Sequence, residues 1–504
     1  MNNSPNVVVI MTDQQRADLT AREGFPLDTT PFQDTLAHQG TWFDRAYTTV
    51  PACGPARISL LTGRYPNATR VRTNHNIPDA TYTKDIFQVF AESGYRTGLC
   101  GKNHTYLTKD HVDFWYSAGH LSTEDGQTTP EYQSFERFMK ETHFQVSMEP
   151  TPFPIEVQFP YRIVSNAQKW IESLENDNPF FLWLSFPEPH NPYQVPEPYY
   201  SMFPPDDLPP NTTDESVLEA MGFKYQWCRE SFMSAFPDFA EHLPRARSNY
   251  LGLLRLLDDQ IERFVGFLEK SGLRNNTIIV FLSDHGDFVG EYGLMRKGPN
   301  LPEALTRVPF IVSGPGVEQN EEPHPAHVSI ADILPTLCEA IGADVPSGVQ
   351  GRSLWPLLTG QIYPEQEFAS AYAEHGFGGQ YYGWDEALDP ADDGRTPSPD
   401  GVAWGSYDCL NSWTQCGQMR MVRKDDWKLT WDMEGSGALY NLADDPSEVN
   451  SLFGQPDVAD KQQELMGDLL TWMLRTQDPL PLPRNRYVMK AQSHNYSLNR
   501  SDST

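Results

Sequence analysis

The sequence predicts an α/β protein with a large, mostly parallel β-sheet sandwiched by helices and a smaller C-terminal α+β subdomain. Short apolar runs that are typical of buried strands alternate with segments of helical spacing, which favours a parallel sheet. The 504 residues are enough for one large domain with an appended unit. We therefore expect a main domain at residues 1–372 and the subdomain at residues 373–504.

Four apolar runs are predicted to be buried parallel strands. In chain order they are Asn6–Met11, Pro179–Phe186, Thr277–Leu282 and Val308–Ser313. A shorter strand is expected in YRTGLCGKNHT, residues 95–105. Runs of this length, rich in β-branched and aromatic residues, are typical of strands that are covered on both faces.

Helical patterns lie between these runs. The segment Ser248–Gly272 has apolar residues at helical spacing and ends in a glycine, which suits a helix C-terminus. A second helix is predicted at Ser329–Gly342, again with a terminal glycine and with a serine as N-cap. The Pro- and Asp-rich stretches Pro196–Ser216 and Ala387–Gly401 are expected to be surface loops.

The C-terminal subdomain is predicted from a different pattern. The run MRMVRKDDWKLTWDM, residues 419–433, reads as two strands joined by a tight turn. A helix is then expected in ADKQQELMGDLLTWMLRT, residues 459–476.

Composition excludes several classes of function. The chain has 38 Lys and Arg against 68 Asp and Glu, a net charge of −30, so nucleic acid and anionic membranes are not expected partners. An anionic ligand would need a local basic pocket. Six cysteines without a CxxC pair argue against a disulfide scaffold or a structural zinc site. We see no signal peptide and no membrane span, and expect a cytoplasmic protein, or a secreted or periplasmic one if a leader was trimmed.

Polar residues follow the predicted strands at the points where they end. Asp13 and Gln14 follow the first run, and Asp284 and His285 follow the third. Ligands of open α/β sheets bind beyond the carboxyl ends of the strands, so these side chains are expected to meet. Two carboxylates, an amide oxygen and an imidazole suit a divalent cation, although each Asp alone could equally cap a turn.

Two further strand ends offer groups for acid–base chemistry or anion binding. His190 follows the second strand, and Lys102 and His104 follow the short strand. One such ending could be accidental, but four together predict a single site.

Cys53 raises a separate question. It precedes GPARISLLTGR, which reads as a helix beginning near Pro55, so an anion or a thiolate would be stabilised there. A lone cysteine is otherwise most often a small buried hydrophobe. The flanking glycine, proline and arginine disfavour that reading.

The stretch that begins at Cys53 resembles the signature of the type I sulfatases, C-x-P-[SA]-R-x(4)-T-G, with Arg57, Thr62 and Gly63 in register. This family belongs to the alkaline-phosphatase-like superfamily, and the resemblance covers nearly the whole chain. It implies that a maturation enzyme oxidises Cys53 to formylglycine. The hydrated aldehyde is a gem-diol, in which one hydroxyl attacks sulfur and the second expels sulfate.

The resemblance also implies roles for the other residues. Asp13, Gln14, Asp284 and His285, together with the modified Cys53, would hold one divalent metal, with calcium as the expected ion and manganese, magnesium or zinc as alternatives. Residues implied in catalysis or sulfate binding are Arg57, Lys102, His104, His190, Lys297 and, by a weaker transfer, Asn74. His190 would protonate the leaving oxygen, His104 would assist collapse of the diol, and the lysines would bind sulfate oxygens.

The implied activity is hydrolysis of sulfate monoesters, expected on a carbohydrate or glycosaminoglycan fragment. Many arylsulfatases have Asp-Asp and Asp-Asn where this chain has Asp13-Gln14 and Asp284-His285. This leaves a phosphonate monoester or phosphodiester hydrolase, an arylsulfatase or a choline-sulfatase as alternatives. The segment FGGQYYGWDEA, residues 377–387, could line a sugar pocket or form a surface loop. A non-catalytic relative would be expected to lose several of the residues that are present here.

Overall fold

We analysed a computed structural model, which describes residues 4–74, 76–124, 129–142, 145–175, 178–298, 300–376 and 417–477. In chain order the strands β1 to β13 are Asn6–Asp13, Thr41–Trp42, Ala46–Tyr47, Arg96–Gly101, Phe114–Ser117, Phe180–Pro189, Thr277–Ser283, Phe310–Ser313, Val328–Ser329, Ser370–His375, Met419–Lys424, Trp427–Asp432 and Gly437–Asn441. The helices α1 to α14 are Pro31–His38, Cys53–Thr62, Pro66–Thr69, Ile86–Glu92, Pro130–Glu141, Phe159–Glu172, Tyr199–Met202, Leu218–Met221, Phe223–Ala235, Phe239–Lys270, Glu303–Thr306, Ile333–Ile341, Trp355–Leu358 and Ala459–Thr476.

The main sheet has seven strands in the order β2-β8-β7-β1-β6-β4-β5. Strands β7, β1, β6, β4 and β5 run parallel, as predicted for a mostly parallel sheet. Strand β8 was expected to be parallel, but it pairs antiparallel with β7. The segment between them has only one short helix, α11, and a parallel return normally needs a longer crossover.

Helices cover both faces of this sheet. Strand β1 shows why, since Val7 and Val9 belong to one apolar core and Val8 and Ile10 to the other. Helices α2, α4 and α12 pack on the first face, and α1, α6 and α10 pack on the second. The mostly parallel sheet between two helical layers is the predicted fold class.

Two predicted helices differ in how closely their bounds match. Helix α12 begins just after Ser329 and a short helical turn, and ends at Gly342 in the left-handed conformation, as predicted. Helix α10 begins at Phe239, nine residues before the predicted Ser248, and includes Pro244. Pro244 lies in the second turn, where it removes one backbone hydrogen bond without preventing the helix from forming.

The C-terminal part has its own four-stranded antiparallel sheet, in the order β10-β11-β12-β13, with α14 packed against it. The two predicted strands β11 and β12 and the predicted helix α14 are all present. Tyr65, Tyr372 and Trp472 join this unit to the segment after α2, with the rings of Tyr372 and Trp472 stacked at 5.8 Å. The predicted division after residue 372 falls within β10 and stays a prediction.

The segments 377–387 and Ala387–Gly401, for which a sugar pocket and a loop were considered, lie outside the described residues. Within the part of the chain that the structure describes, no helix is both long and apolar enough to cross a lipid bilayer.

Candidate active site

Two adjacent strands bring acidic residues together at the carboxyl edge of the main sheet. Thr12 of β1 is paired with Ser283 of β7, so Asp13 and Asp284 emerge side by side. The backbone amide of Gln14 donates to Asp284 Oδ1 over 3.1 Å and fastens the two strand ends to each other.

These carboxylates form a compact group with two further side chains. Potential ligand atoms of Asp13, Cys53, Asp284 and His285 all lie within 4.8 Å of one another, and the four residues are buried. Two buried carboxylates need a compensating positive charge, and oxygen donors with one imidazole suit a divalent cation. The residues present therefore fit a metal site.

Gln14 lies beside this group. Its backbone has a φ of 71°, in the left-handed region that non-glycine residues rarely adopt. Its Nε2 donates to Asp287 Oδ2 over 2.5 Å, which fixes the orientation of the amide. Its Oε1 is left as an acceptor for Lys297 Nζ, at 3.2 Å. An amide oxygen held in this way adds one more oxygen donor near the carboxylates.

Cys53 is the first residue of α2, two residues before the start predicted from Pro55. Its Sγ lies 3.1 Å from His285 Nε2, 3.4 Å from Lys297 Nζ and 3.5 Å from Asp13 Oδ1. The side chain therefore points into the carboxylate group and toward an ammonium at once. A nucleophile at this position could contact both a metal and a cation.

Arg57 lies one turn further along α2 and is fully buried. Its guanidinium donates to Asp284 Oδ2 over 2.8 Å and to Ser185 Oγ over 2.6 Å, and lies 3.5 Å from Asp13 Oδ2. The planar fork thus spans both carboxylates, a geometry that lysine could not reproduce. Arg57 holds the ligand carboxylates rather than Cys53 itself.

Lys102 follows β4 directly. Gly101 has a φ of 111°, and a Cβ there would collide with the carbonyl of Ser185, so only glycine lets β4 lie this close to β6. The Lys102 ammonium contacts Asp13 Oδ2 and lies 2.8 Å from His120 Nε2. The structure thus brings Lys102 to the edge of the carboxylate group.

His190 lies directly after β6, on the same side of the group as Lys297. The carbonyl of Asn191 lies 2.7 Å from His190 Nδ1, which places the ring proton on that nitrogen. His190 Nε2 is 3.4 Å from Lys297 Nζ. Burial, followed by the charges on His120 and Lys297, holds the pKa of His190 well below its ordinary value. The ring therefore offers a bare Nε2 to its surroundings.

The two weaker candidates are nearby but less closely engaged. His104 is partly buried, and burial and then the Lys102 ammonium keep its pKa well below the ordinary value. Asn74 Oδ1 accepts a hydrogen bond from the Gly54 amide over 2.9 Å, which places its side chain beside Cys53. Both residues thus lie at the site, and their implied roles stay predictions.

Sequence reasoning missed three residues that contact this group. Ser185 and Asp287 orient Arg57 and Gln14, and His120 contacts Lys102 and stacks on His190. Asp287 was within reach, because it is three residues beyond Asp284. His120 follows β5, a short strand that the sequence analysis did not identify, so the rule about strand ends was never applied there.

Comparisons with known proteins agree with this geometry. The family profile described as Sulfatase matches residues 5–343. An arylsulfatase of Clostridium perfringens is 29% identical over 417 residues, which cover 74% of this chain and 82% of that protein. An N-acetylglucosamine-6-O-sulfatase of Bacteroides thetaiotaomicron is 23% identical over 523 residues, which cover 92% of this chain and 85% of that protein.

The fold itself recurs in a solved structure. A phosphonate monoester hydrolase of Agrobacterium radiobacter superposes with a TM-score of 0.74 at 22% identity, covering 94% of this chain and 96% of that one. Because the family profile spans more than half of the sequence, the chain belongs to the type I sulfatases of the alkaline-phosphatase-like superfamily and is a sulfuric ester hydrolase.

Proposed function

We propose that this sulfatase hydrolyses sulfate monoesters on a carbohydrate or glycosaminoglycan fragment, with a formylglycine made from Cys53 and one divalent metal. The observation that carries the proposal is the position of Cys53 Sγ, 3.1 Å from His285 Nε2 and 3.4 Å from Lys297 Nζ. A hydroxyl in that place would lie between the metal-binding group and a cation. Calcium is the ion we expect, because most of the donors are oxygens.

The residues around Cys53 divide into two sets. When bound, the metal supplies positive charge that lowers the pKa of the nucleophilic hydroxyl and neutralises a sulfate oxygen. When formed, the hydrated formylglycine supplies one hydroxyl for attack and a second through which sulfate is released. Arg57 keeps the carboxylates of Asp13 and Asp284 in place, and the ammonium groups of Lys102 and Lys297 bind the remaining sulfate oxygens.

Proton transfer to the leaving oxygen falls to His190 in this proposal. Its Nδ1 is engaged by the Asn191 carbonyl, so a proton passed to substrate must come from Nε2. Lys297 Nζ, 3.4 Å from that nitrogen, is the group from which Nε2 can be protonated. Sugar alkoxides are poor leaving groups and need this proton, whereas aryl oxides need it much less.

The substrate class rests on charge and on a relative. The protein carries a net charge of −30, so binding a sulfated sugar requires the local cations Arg57, Lys102 and Lys297. The relative named as an N-acetylglucosamine-6-O-sulfatase matches most of the chain. A maturation enzyme that oxidises Cys53 is the partner that this mechanism requires.

The proposal is tested on Cys53 and on substrate. Mass spectrometry of the peptide that contains Cys53 should show replacement of the thiol by an aldehyde, and activity should follow the converted fraction. Released sulfate should be measured across a panel of sulfated monosaccharides and unsaturated disaccharides. Full turnover by protein that contains only the unmodified thiol would refute the mechanism.

A phosphonate monoester hydrolase is the second candidate. Gln14 and His285 replace the residues of many arylsulfatases, and Gln14 Oε1 accepts from Lys297. The two functions are separated by kcat/KM for a sulfate monoester and for a phosphonate monoester with the same leaving group. A higher value for the phosphonate would overturn the sulfatase proposal.

A further inference from the structure

Two lysine–histidine pairs lie face to face beside the carboxylate group. His120 Nε2 is 2.8 Å from Lys102 Nζ, and His190 Nε2 is 3.4 Å from Lys297 Nζ. The two imidazole rings are stacked, with centroids 3.8 Å apart and planes inclined by 25°. His120 therefore contacts two residues that the proposed reaction uses, one on each side of the substrate.

The hydrogen bonds assign the role of each ring nitrogen. An ammonium has only donors, so His120 Nε2 must accept from Lys102. The Asn191 carbonyl has only lone pairs, so His190 Nδ1 carries the proton there. Burial keeps the pKa of both imidazoles below the ordinary value, which agrees with two neutral rings in contact.

The two contacts of His120 do different things. The hydrogen bond directs one of the three Lys102 protons away from Asp13, which fixes the direction of the ammonium. The stacked ring prevents the His190 imidazole from rotating out of the plane in which Nδ1 meets the Asn191 carbonyl. His190 Nε2 is then held facing Lys297.

We propose that His120 is a positioning residue of this sulfatase. Through its ring it holds His190 in the orientation that presents Nε2 to the leaving oxygen, and through its Nε2 it holds Lys102 toward the sulfate. This inference rests on the roles proposed above for His190 and Lys102. No step of the reaction is assigned to His120 itself.

The two contacts can be removed separately. In His120→Phe a flat ring remains to stack on His190, but the acceptor for Lys102 is lost. In His120→Gln an acceptor remains for Lys102, but the ring is lost. The His120 side chain is 18% exposed, so neither change should unfold the protein, and thermal melting would verify this. The exposed His38, on the outside of α1, supplies matched controls as His38→Phe and His38→Gln.

Each variant should change a different quantity. His120→Phe should lower kcat/KM about 10- to 100-fold, by the same factor for an alkyl sulfate and for a nitrophenyl sulfate, because a hydrogen bond to a charged group is lost. His120→Gln should slow the alkyl sulfate roughly tenfold more than the nitrophenyl sulfate, because proton donation by His190 is impaired. The His38 variants should match the wild type.

Three outcomes would overturn the inference. They are a loss by the same factor in both His120 variants on both substrates, full activity of His120→Phe, and equal effects of His120→Gln on the two leaving groups. His190→Ala separates this inference from the proposed function. If His190→Ala does not discriminate between leaving groups, the acid assigned in the proposed function is wrong. If it does and His120→Gln does not, only the role of His120 is wrong.

Discussion

Replacing Arg57 by methionine should destabilise the metal-free protein and make its stability depend on metal. Arg57 is fully buried, and its guanidinium is the shared partner of Asp13 and Asp284. Methionine keeps much of the volume but leaves two buried carboxylates without this cation. Removing one partner of a buried ion pair costs about 3–5 kcal/mol.

The size of this effect follows from the contacts that are lost. Arg57 Nε lies 2.8 Å from Asp284 Oδ2, and its NH1 donates to Ser185 Oγ over 2.6 Å and to the Lys102 carbonyl over 3.1 Å. Lys102 still contacts Asp13, so we expect the lower half of the 3–5 kcal/mol range. A divalent cation would neutralise the same carboxylates and should restore part of the loss.

The assay is urea unfolding with a chelator and with added calcium. The urea midpoint of Arg57→Met should lie below that of the wild type in chelator, and calcium should raise it by more in the variant. Arg57→Lys, which keeps one charge but loses the fork, should fall between them. Equal midpoints in chelator, or equal protection by calcium, would refute the reasoning that Arg57 compensates the ligand carboxylates.

The remaining predictions concern four residues. Asp284→Ala should abolish turnover while the protein stays folded, and exhaustive chelation should do the same; full activity without metal would exclude a metal role. Cys53→Ala should bind substrate without turnover and Cys53→Ser should stop after one turnover, as a burst assay would reveal. His190→Ala should slow alkyl sulfates more than nitrophenyl sulfates, and an equal loss on both would exclude it as the acid. Burial raises the pKa of Glu188 from 4.5 to about 8, so the stability that it contributes is complete below about pH 4.5 and is lost as the pH rises toward 8. Glu188→Gln should remove this dependence and be more stable by a few kcal/mol above pH 8; equal pH profiles of unfolding free energy would contradict this.

The sequence was sufficient for the central sheet because the pattern of buried strands is local. Apolar runs of six to eight residues allow only a strand covered on both faces, and β1, β6 and β7 formed where they were expected. The direction of β8 was not predictable from its own residues. Direction depends on how the chain returns to the sheet, and residues 284–309 are occupied by the site rather than by a crossover helix.

Strand ends also located most of the site, because parallel strands place their following residues at one edge. Asp13, Asp284 and His285 are close together for this reason. His120 was beyond such reasoning. Its partners Lys102 and His190 are 18 and 70 residues away, and nothing in AGHLS marks the histidine as different from one on a surface loop. Side-chain stacking between loops follows from the packed structure and has no local signal.

The burial of Cys53 has a consequence for how the enzyme is made. Cys53 is 1% exposed, and all ten residues of α2 are buried. A maturation enzyme must grip several residues around the cysteine, and in the finished protein that segment is inaccessible. Oxidation therefore has to take place while the chain is still open, during or soon after synthesis. The active fraction of a preparation is then set by a race between two rates, that of modification and that of folding, so slowing the folding should increase the yield of active molecules.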